Sequence, residues 1–238
     1  MTDAPRRNAL GQPIGPELPD WRPPPRPQQQ PLVGRFCTVE PLDLGKHARD
    51  LFEANSLDRE NRMWTYLFSG PYASFEDYER WLAERAPGTD PLFRAFVSRE
   101  TGRAAGLGAF MRIDPPMGSI EVGHIAMSPL LQRSPAATEA MYLMMRHAFE
   151  LGYRRYEWKC DSLNEKSRRA AERFGFTYEG LFRQAIVYKG RSRDTAWYSI
   201  IDPEWPRVRE AFERWLDPGN FDAGGRQRAS LAQIRAAL

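Results

Sequence analysis

The stretch that decides the fold is Ser119–Glu139, which reads SIEVGHIAMSPLLQRSPAATE. Residues 119–127 alternate and are rich in β-forming side chains, which predicts a strand. After a short connection, Ser134 precedes Pro135 and an apolar-periodic run, a pattern that marks the start of a helix. A helix N-terminus presents unpaired amides and the positive end of its dipole, and both favour a bound phosphate. The alternative is an ordinary strand-to-helix crossover without a ligand.

Composition limits the class of protein. Of the 238 residues, 42% are hydrophobic and 12% aromatic, as in a globular domain, and the net charge of +3 is too small to predict nucleic acid as a partner. The two cysteines, Cys37 and Cys160, form no CxxC motif, and the three histidines form no ligand pair, so neither a disulfide framework nor a metal site is expected. The start of the chain has no apolar signal core, and no run is long enough to span a bilayer. We expect a cytoplasmic protein without membrane contact.

The chain divides into three parts. Residues 1–34 contain nine of the 20 prolines and are expected to form an extended arm. Trp21 provides an anchor, either on the arm's own domain or on a second subunit, and the second alternative predicts a homodimer. Residues 35–217 form one domain, and residues 218–238 are a tail that either adds a short helix or stays loose.

The domain has the periodicities of a mixed α/β fold, with a largely antiparallel central sheet flanked by helices. Strands are predicted over 35–42, 93–99, 104–113, 119–127, 153–160, 181–188 and 195–201. Helices are predicted over 43–55, 58–68, 74–85, 135–151, 164–176 and 204–216. Asn164 is a suitable N-cap and Gly175 a suitable terminator for the helix between them.

Two segments together resemble the GNAT superfamily of N-acetyltransferases, and in particular its ribosomal-protein N-terminal acetyltransferase branch. The segments are EVGHIAMSPLLQRSPAATEA and NEKSRRAAERFGF. The matching positions are Glu121, Gly123, Gln132, Ala137-Thr138-Glu139-Ala140, Asn164, Ser167, Gly175 and Phe176. Their order and spacing fit over roughly residues 35–202, and it is their joint occurrence that is specific.

The resemblance implies direct transfer of an acetyl group from acetyl-CoA to an amine, with no covalent enzyme intermediate and no metal. The pantetheine arm would lie along the main chain of Ile125, Ala126 and Met127, where an amide near Ala126 or Met127 would stabilise the oxyanion. The pyrophosphate would lie at the following loop and helix start. The implied residues there are Gln132, Arg133, Ser134, Ala136, Ala137 and Thr138, and Asn164 is expected to contact the cofactor arm.

The same resemblance places the catalytic groups. Glu121 matches the family's base, which would deprotonate the amine directly or through water. Its alternative is a strand-face glutamate pointing to solvent. Ser167 matches the serine that this branch offers to the leaving thiolate, and its alternative is a local helix-capping role. Neither cysteine lies in a nucleophile motif, although Cys160 ends a strand near the expected cleft.

The phosphate loop departs from the family pattern, because Arg133 and Pro135 stand where glycine is usual and Ala137 takes the third position. Proline removes a donor amide, whereas Arg133 offers a guanidinium for a phosphate oxygen. A catalytically degenerate binding or regulatory module is therefore an alternative to the enzyme. The acceptor is a protein N-terminus or a small amine such as a polyamine, a drug or an amino acid. Its pocket is expected among Trp64, Tyr66, Trp197 and the hairpin 189–194.

Overall fold

The computed structural model describes residues 6–238, so the first five residues of the predicted arm lie outside it. The strands are β1 (Arg6–Arg7), β2 (Pro13–Ile14), β3 (Leu32–Val33), β4 (Cys37–Pro41), β5 (Leu92–Ser98), β6 (Ala104–Asp114), β7 (Ser119–Met127), β8 (Arg155–Asp161), β9 (Thr177–Tyr188) and β10 (Arg191–Ile201). The α-helices are α1 (Leu44–Asn55), α2 (Phe75–Ala83), α3 (Pro135–Glu150), α4 (Glu165–Phe174), α5 (Trp205–Leu216) and α6 (Leu231–Ala236).

Eight strands form one sheet in the order β3-β4-β5-β6-β7-β8-β10-β9, while β1 and β2 form a separate hairpin. All neighbours in the sheet are antiparallel except β7 and β8, which are joined by the crossover helix α3. The predicted mixed, largely antiparallel sheet is therefore confirmed. Within residues 6–238, no helix combines the length and the apolar character needed to cross a membrane.

Two cores cover the two faces of the sheet. On one face, α3, α4, α5 and α6 pack over the middle and C-terminal strands, and this core includes Ile120 and Val122 of β7. On the other face, α1 and α2 pack over β5 and β6. We call this second surface the α1/α2 face. Because helices cover only its β5–β6 half, the polar side chains of β7, β8 and β10 on this face stay clear of the second core.

The proline-rich arm packs on its own domain. The Arg26 guanidinium donates to the Ile113 carbonyl at 3.3 Å, and the Trp21 ring lies beside Gly118. Arg94, which is fully buried, donates through its terminal nitrogens to the main-chain carbonyls of Gln28 and Gln30. Burial lowers the pKa of Arg94 to about 10. Of the two surfaces expected for Trp21, the structure thus shows contacts to the arm's own domain.

Most predicted elements lie within a few residues of the observed ones, and the exception is the helix predicted over 58–68, which is wrong. This segment forms only a 3₁₀ turn, Arg62–Trp64. Asn61 adopts a left-handed conformation with φ of 56°, and the Asp58 carboxylate accepts the Met63 amide at 2.7 Å. Both features favour a turn over a continuous helix. In the tail, Leu231 is buried and begins the short helix α6.

Glu139 fixes α3 to the start of β4. This buried carboxylate accepts the successive amides of Arg35, Phe36 and Cys37 at 2.8, 2.6 and 2.7 Å. A Cβ on Gly34 would lie 2.4 Å from the same carboxyl group, so the close approach requires glycine there. The glutamate of the Ala-Thr-Glu-Ala motif therefore has a structural role, since it positions the helix whose first turn carries the predicted phosphate site.

Candidate active site

A gap opens where the parallel strands β7 and β8 part. They pair only from Ser119 with Arg155 to Val122 with Trp158. Beyond this point β7 continues along β6 as far as Met127, whereas β8 pairs with β10 as far as Asp161. The main chain of β7 after Val122 therefore has no strand on its β8 side.

A β-bulge sets the direction in which β7 leaves β8. Two residues, His124 and Ile125, stand opposite Gly108 alone, and His124 has φ of 51°. A bulge bends the strand and increases its local twist. The His124 ring contacts Phe93 of the α1/α2 face, with ring centroids 5.0 Å apart. Burial, followed by the charges of Arg85 and Arg112, lowers the pKa of His124 to about 4.

The register shows which predicted main-chain groups face the gap. The Ser128 amide donates to the Ala105 carbonyl on the β6 side. Because alternate residues of a strand direct their N–H and C=O groups to opposite sides, the groups of Ala126 also point toward β6. Those of Ile125 and Met127 face the gap, although the Met127 carbonyl already accepts the Gln132 side chain at 2.7 Å.

At the open end of the gap lies the loop that precedes α3. Ser134 caps this helix as predicted, since its hydroxyl accepts the Ala137 amide at 3.1 Å and Pro135 takes the first helical position. The Thr138 amide bonds the Ser134 carbonyl at 3.4 Å. Among the described residues, no acceptor contacts the amides of Arg133 and Ala136. These two amides are the loop donors available to an anion.

Arg133 keeps the backbone conformation that glycine would adopt in this loop, with φ of 61°. This left-handed conformation costs an ordinary residue roughly 1–2 kcal/mol. The Arg133 side chain is exposed, and no carboxylate within residues 6–238 forms an ion pair with it. The loop thus carries an exposed guanidinium, on the residue whose amide is free, that has no carboxylate partner within residues 6–238.

Glu121 is buried in an ion cluster at the closed end of the gap, and the outer member of the cluster, Arg112, is exposed. Its Oε2 is 2.9 Å from Lys159 Nζ and 2.5 Å from Arg112 Nη1. Lys159, whose side chain is only 8% exposed, also contacts Glu157 Oε2 at 2.7 Å and lies 3.7 Å from the centre of the Trp197 ring. The predicted alternative, a glutamate pointing to solvent, is wrong. The cluster follows from register, since Glu121 pairs with Glu157 and Lys159 pairs with Trp197.

Gly123 leaves room for the Met111 side chain, and the second carboxylate oxygen of Glu121 lies close to the same spot. A Cβ at residue 123 would lie 2.4 Å from Met111 Sδ and 3.6 Å from Glu121 Oε1. Within residues 6–238, Oε1 accepts no hydrogen bond, whereas Oε2 contacts both cations. Oε1 thus lies on the Gly123 side of the carboxylate, toward the start of the gap.

A cavity of about 540 Å³ adjoins this ion cluster on the α1/α2 face. Its charged lining is balanced, with three cationic and three acidic side chains: Arg26, Arg112, Lys159, Asp90, Asp114 and Glu157. Burial opposes the ionisation of Glu157, but its bonds to Lys159 and Arg155 hold the pKa of that carboxyl below the ordinary value. Trp197, a predicted pocket residue, also lines this cavity.

Ser167 lies in the first turn of α4, and its hydroxyl accepts the Trp158 Nε1–H at 3.0 Å. Asn164 caps the helix by accepting the Ser167 amide at 3.2 Å. Since an indole nitrogen only donates, the Ser167 proton remains available to another acceptor. Burial raises the pKa of the Cys160 thiol, against an opposing bond from Ser167. Burial also raises the pKa of Cys37 to about 12, so both thiols are poor nucleophiles.

Lys159 and Arg112 are the site residues that the sequence pattern did not reveal. Lys159 lies two residues after Glu157 on β8, so the two share a face of the strand, but the sequence does not show which residues of β7 and β10 lie opposite them. Tyr66, which was predicted to line the pocket, donates to the Leu163 carbonyl at 3.1 Å. Trp64 is buried in the second core against Tyr72, so it packs beneath the site instead of lining it.

The sheet parts at one parallel strand pair, and the amides left free at the helix start beside its open end suit an anion. A family model described as an acetyltransferase (GNAT) domain matches residues 38–177. The chain belongs to the GNAT family, and it is an N-acetyltransferase.

Solved structures agree with this assignment. A GCN5-related N-acetyltransferase from Brucella melitensis is 48% identical, with a TM-score of 0.90 over 92% of this chain and 100% of the other. A protein described as a GNAT-family acetyltransferase from Chromobacterium violaceum is 37% identical, with a TM-score of 0.77 over 82% and 98%. RimL, a ribosomal L7/L12 α-N-protein acetyltransferase solved with CoA, shares the fold at 21% identity, with a TM-score of 0.61 over 72% and 97%. No protein of curated function matches the chain.

Proposed function

We propose that the protein transfers the acetyl group of acetyl-CoA directly to a primary amine within a ternary complex. The main support for this proposal is the gap between β7 and β8, which has the unpaired amides of Arg133 and Ala136 at one end and Glu121 Oε1 at the other. The CoA bound to RimL supports the choice of cofactor. Both ends of the gap lie on elements that the packing fixes in place.

In this proposal the open end of the gap holds the pyrophosphate. The amides of Arg133 and Ala136 donate to its oxygens, and the Arg133 guanidinium pairs with a phosphate oxygen. The main chain of Ile125 bonds the pantetheine arm like an added strand, while the Met127 carbonyl stays bonded to Gln132. The Met127 amide is the donor nearest the loop that remains available for the oxyanion. Asn164 is assigned to the cofactor arm in addition to its role as the cap of α4.

The two catalytic roles go to Glu121 and Ser167. Glu121 Oε1 accepts a proton from the acceptor ammonium, directly or through one water, and so frees the nitrogen lone pair for attack on the thioester carbonyl. The new C–N bond forms as the C–S bond breaks. Ser167 passes its hydroxyl proton to the departing thiolate, and its hydroxyl is restored, through solvent, by the second proton that the nitrogen releases as the amide forms. The contacts of Glu121 with Lys159 and Arg112 hold Oε2 in place and leave Oε1 toward the gap.

The acceptor is assigned to the α1/α2 face, next to the cavity beside Trp197. A strongly acidic cavity would favour a polyamine, but the charges here are balanced, which favours a peptide N-terminus or a small amine that also carries an acid. The packing of the arm on its own domain gives no support for a second subunit at this site.

Calorimetric titration of acetyl-CoA tests the cofactor site. We expect micromolar binding that weakens about tenfold or more in Arg133→Ala, equivalent to roughly 1.4 kcal/mol. Arg209→Ala, an exposed change on α5, is the matched control and should bind like the unmodified protein. The absence of binding at millimolar acetyl-CoA would refute the enzyme and favour a degenerate binding module.

Glu121→Gln tests the chemistry separately. The amide preserves the shape of the side chain but cannot take the proton, so kcat should fall roughly 10²- to 10⁴-fold while acetyl-CoA affinity is unchanged. An unchanged kcat would assign the base to another group.

A further inference from the structure

Arg193 is a buried cation without an anionic partner. The residue is 6% exposed, and its Nε donates to Thr195 Oγ1 at 3.1 Å. Within residues 6–238, no acceptor contacts its two terminal nitrogens and no carboxylate forms an ion pair with it. Its remaining neighbours are the rings of Phe68 and Tyr188, whose centroids lie 5.5 and 5.9 Å from the guanidinium carbon. Arginine side chains with so little exposure are normally paired, and the free terminal nitrogens of Arg193, which keep some contact with solvent, are donors that an external anion can reach.

The buried charges elsewhere in the sheet differ from Arg193 in this respect. Lys159 contacts two carboxylates, and Glu139 accepts three amides. Arg94 donates to two carbonyls of the arm. The carboxylate of Asp161 is already occupied, because it accepts the Tyr188 hydroxyl at 2.7 Å and the Leu163 amide at 2.9 Å. Arg94 keeps one buried Nε donor without a partner, but both of its terminal nitrogens are occupied, whereas within residues 6–238 neither terminal nitrogen of Arg193 is.

Arg193 lies on the same face of the sheet as the proposed base. Along β10, the side chains of Arg193 and Thr195 are in contact, and Trp197 follows two residues later. The Trp197 ring lies under Lys159, which contacts Glu121. Trp197 Nε1 is also a buried donor without an acceptor in the described chain. One face of β10 therefore presents unpaired donors from Trp197, beside the ion cluster, back to Arg193 near the start of the strand.

The segment that covers Arg193 is held in place. Phe68 lies on residues 64–70, and Lys189 Nζ donates to the carbonyls of Trp64, Ser69 and Gly70 at 2.9, 3.1 and 2.7 Å. Seven residues of loop are thus tied to the β9–β10 hairpin by one ammonium group. The surroundings of Arg193 are preorganised, which lowers the cost of binding a ligand there.

We propose that Arg193 is an anion subsite for the acceptor, and that the acceptor is a peptide N-terminus with an acidic side chain about three to four residues downstream. The inference rests on the proposed function. From Trp197 to Arg193 the strand rises four residues, roughly 13 Å at about 3.3 Å each, and an extended peptide covers that distance in a similar number of residues. Arginine pairs with carboxylate through two parallel hydrogen bonds, which fixes the register of the bound peptide.

Matched peptides test this subsite. The substrates are pentapeptide amides with N-terminal serine, alanine as filler, and either aspartate or asparagine at position 2, 3, 4 or 5. Acetylation by the acetyl-CoA-loaded protein should show a kcat/KM at least about tenfold higher for aspartate at position 4 or 5. In Arg193→Met this preference should disappear, while acetyl-CoA affinity is unchanged. The matched control is Arg183→Met, an exposed change on β9 that should keep the preference.

Arg193→Lys keeps the charge and should retain part of the preference, which guards against a methionine variant that fails to fold. Free aspartate and β-alanine are tested as acceptors in a separate experiment. If they are acetylated in preference to the peptides, the carboxylate that Arg193 binds belongs to a small molecule, and the peptide assignment is overturned. Equal rates for aspartate and asparagine peptides, or no turnover of either set, would overturn the subsite itself. Failure to bind acetyl-CoA at all would instead refute the proposed function, and calorimetry separates the two results.

Discussion

Removing the Glu139 carboxylate should destabilise the protein by about 3–5 kcal/mol. Three buried amides bond to it at 2.6 to 2.8 Å, and a hydrogen bond to a charged group contributes roughly 1.5–3 kcal/mol. Glu139→Ala leaves all three amides without a partner. Part of the lost stability is offset, because water can enter the space to bond the amides and because a buried charge is removed. A domain stability of about 5–15 kcal/mol makes the expected effect large.

Urea unfolding followed by tryptophan fluorescence measures this change, with linear extrapolation to water. At roughly 2–4 °C per kcal/mol for a chain of this size, the melting temperature should fall by about 6–20 °C. Glu139→Gln should lose less, about 2–3 kcal/mol, because one amide oxygen can serve only some of the three donors. The control is Glu150→Ala on the same helix, where the side chain is 63% exposed and 3.6 Å from Arg146. That change should cost less than about 0.5 kcal/mol.

A double-mutant cycle makes the test sharper. Gly34→Ala forces a Cβ against the same carboxylate, so its cost should shrink when Glu139 is already alanine. A Glu139→Ala loss under about 1 kcal/mol, or additive costs in the cycle, would refute the claim that this carboxylate joins α3 to β4.

Three further predictions concern the site. Burial lowers the pKa of His124 from about 6.5 in the unfolded chain to about 4 in the folded protein, so lowering the pH through this range favours the unfolded chain by up to about 3 kcal/mol. The free energy of unfolding should therefore fall less between pH 7 and pH 4.5 in His124→Gln than in the unmodified protein. Lys159→Met should lower kcat roughly tenfold to a hundredfold at unchanged acetyl-CoA affinity, since Glu121 loses a partner that orients it. Arg133→Gly should raise stability by about 1 kcal/mol yet weaken acetyl-CoA binding, because glycine relieves the left-handed strain and removes the guanidinium.

The corresponding controls are direct. Lys159→Arg keeps a cation and should recover part of the rate; a variant as inactive as methionine would contradict the orienting role. For His124, identical pH dependence in the two proteins would assign the acid sensitivity elsewhere. For Arg133→Gly, stability and acetyl-CoA affinity that change in the same direction would contradict the view that the backbone of Arg133 causes the strain and its guanidinium contributes the binding.

Local signals in the sequence predicted the elements around the site. Ser134 and Pro135 mark the start of α3 because an N-cap serine and a first-turn proline act within a few residues of the chain. Asn164 and Gly175 bound α4 for the same reason, and Gly175 has φ of 99°. The helix predicted over 58–68 failed because its apolar spacing competes with turn formation at Asn61, a conformation that periodicity does not reveal.

The arrangement of the site depends on register, and register is a nonlocal property. Glu121 meets Lys159 because β7 pairs in parallel with β8 for only four residues, and a shift of one residue would turn every side chain to the other face. Arg193 is likewise unpaired because, within residues 6–238, the fold brings no carboxylate within ion-pair distance of its guanidinium, which a local pattern does not show. Sequence patterns placed Glu121 on the correct strand but gave no information on its two cationic partners.

The altered phosphate loop argues for a working site instead of a degenerate one. Glycine in such a loop supplies a left-handed residue, and Arg133 adopts that conformation with φ of 61° in spite of the strain. Proline is costly where an amide is needed, but Pro135 stands at the first helical position, and the neighbouring amides of Arg133 and Ala136 stay unpaired. The loop thus retains the two geometric features that an anion requires and adds a positive charge.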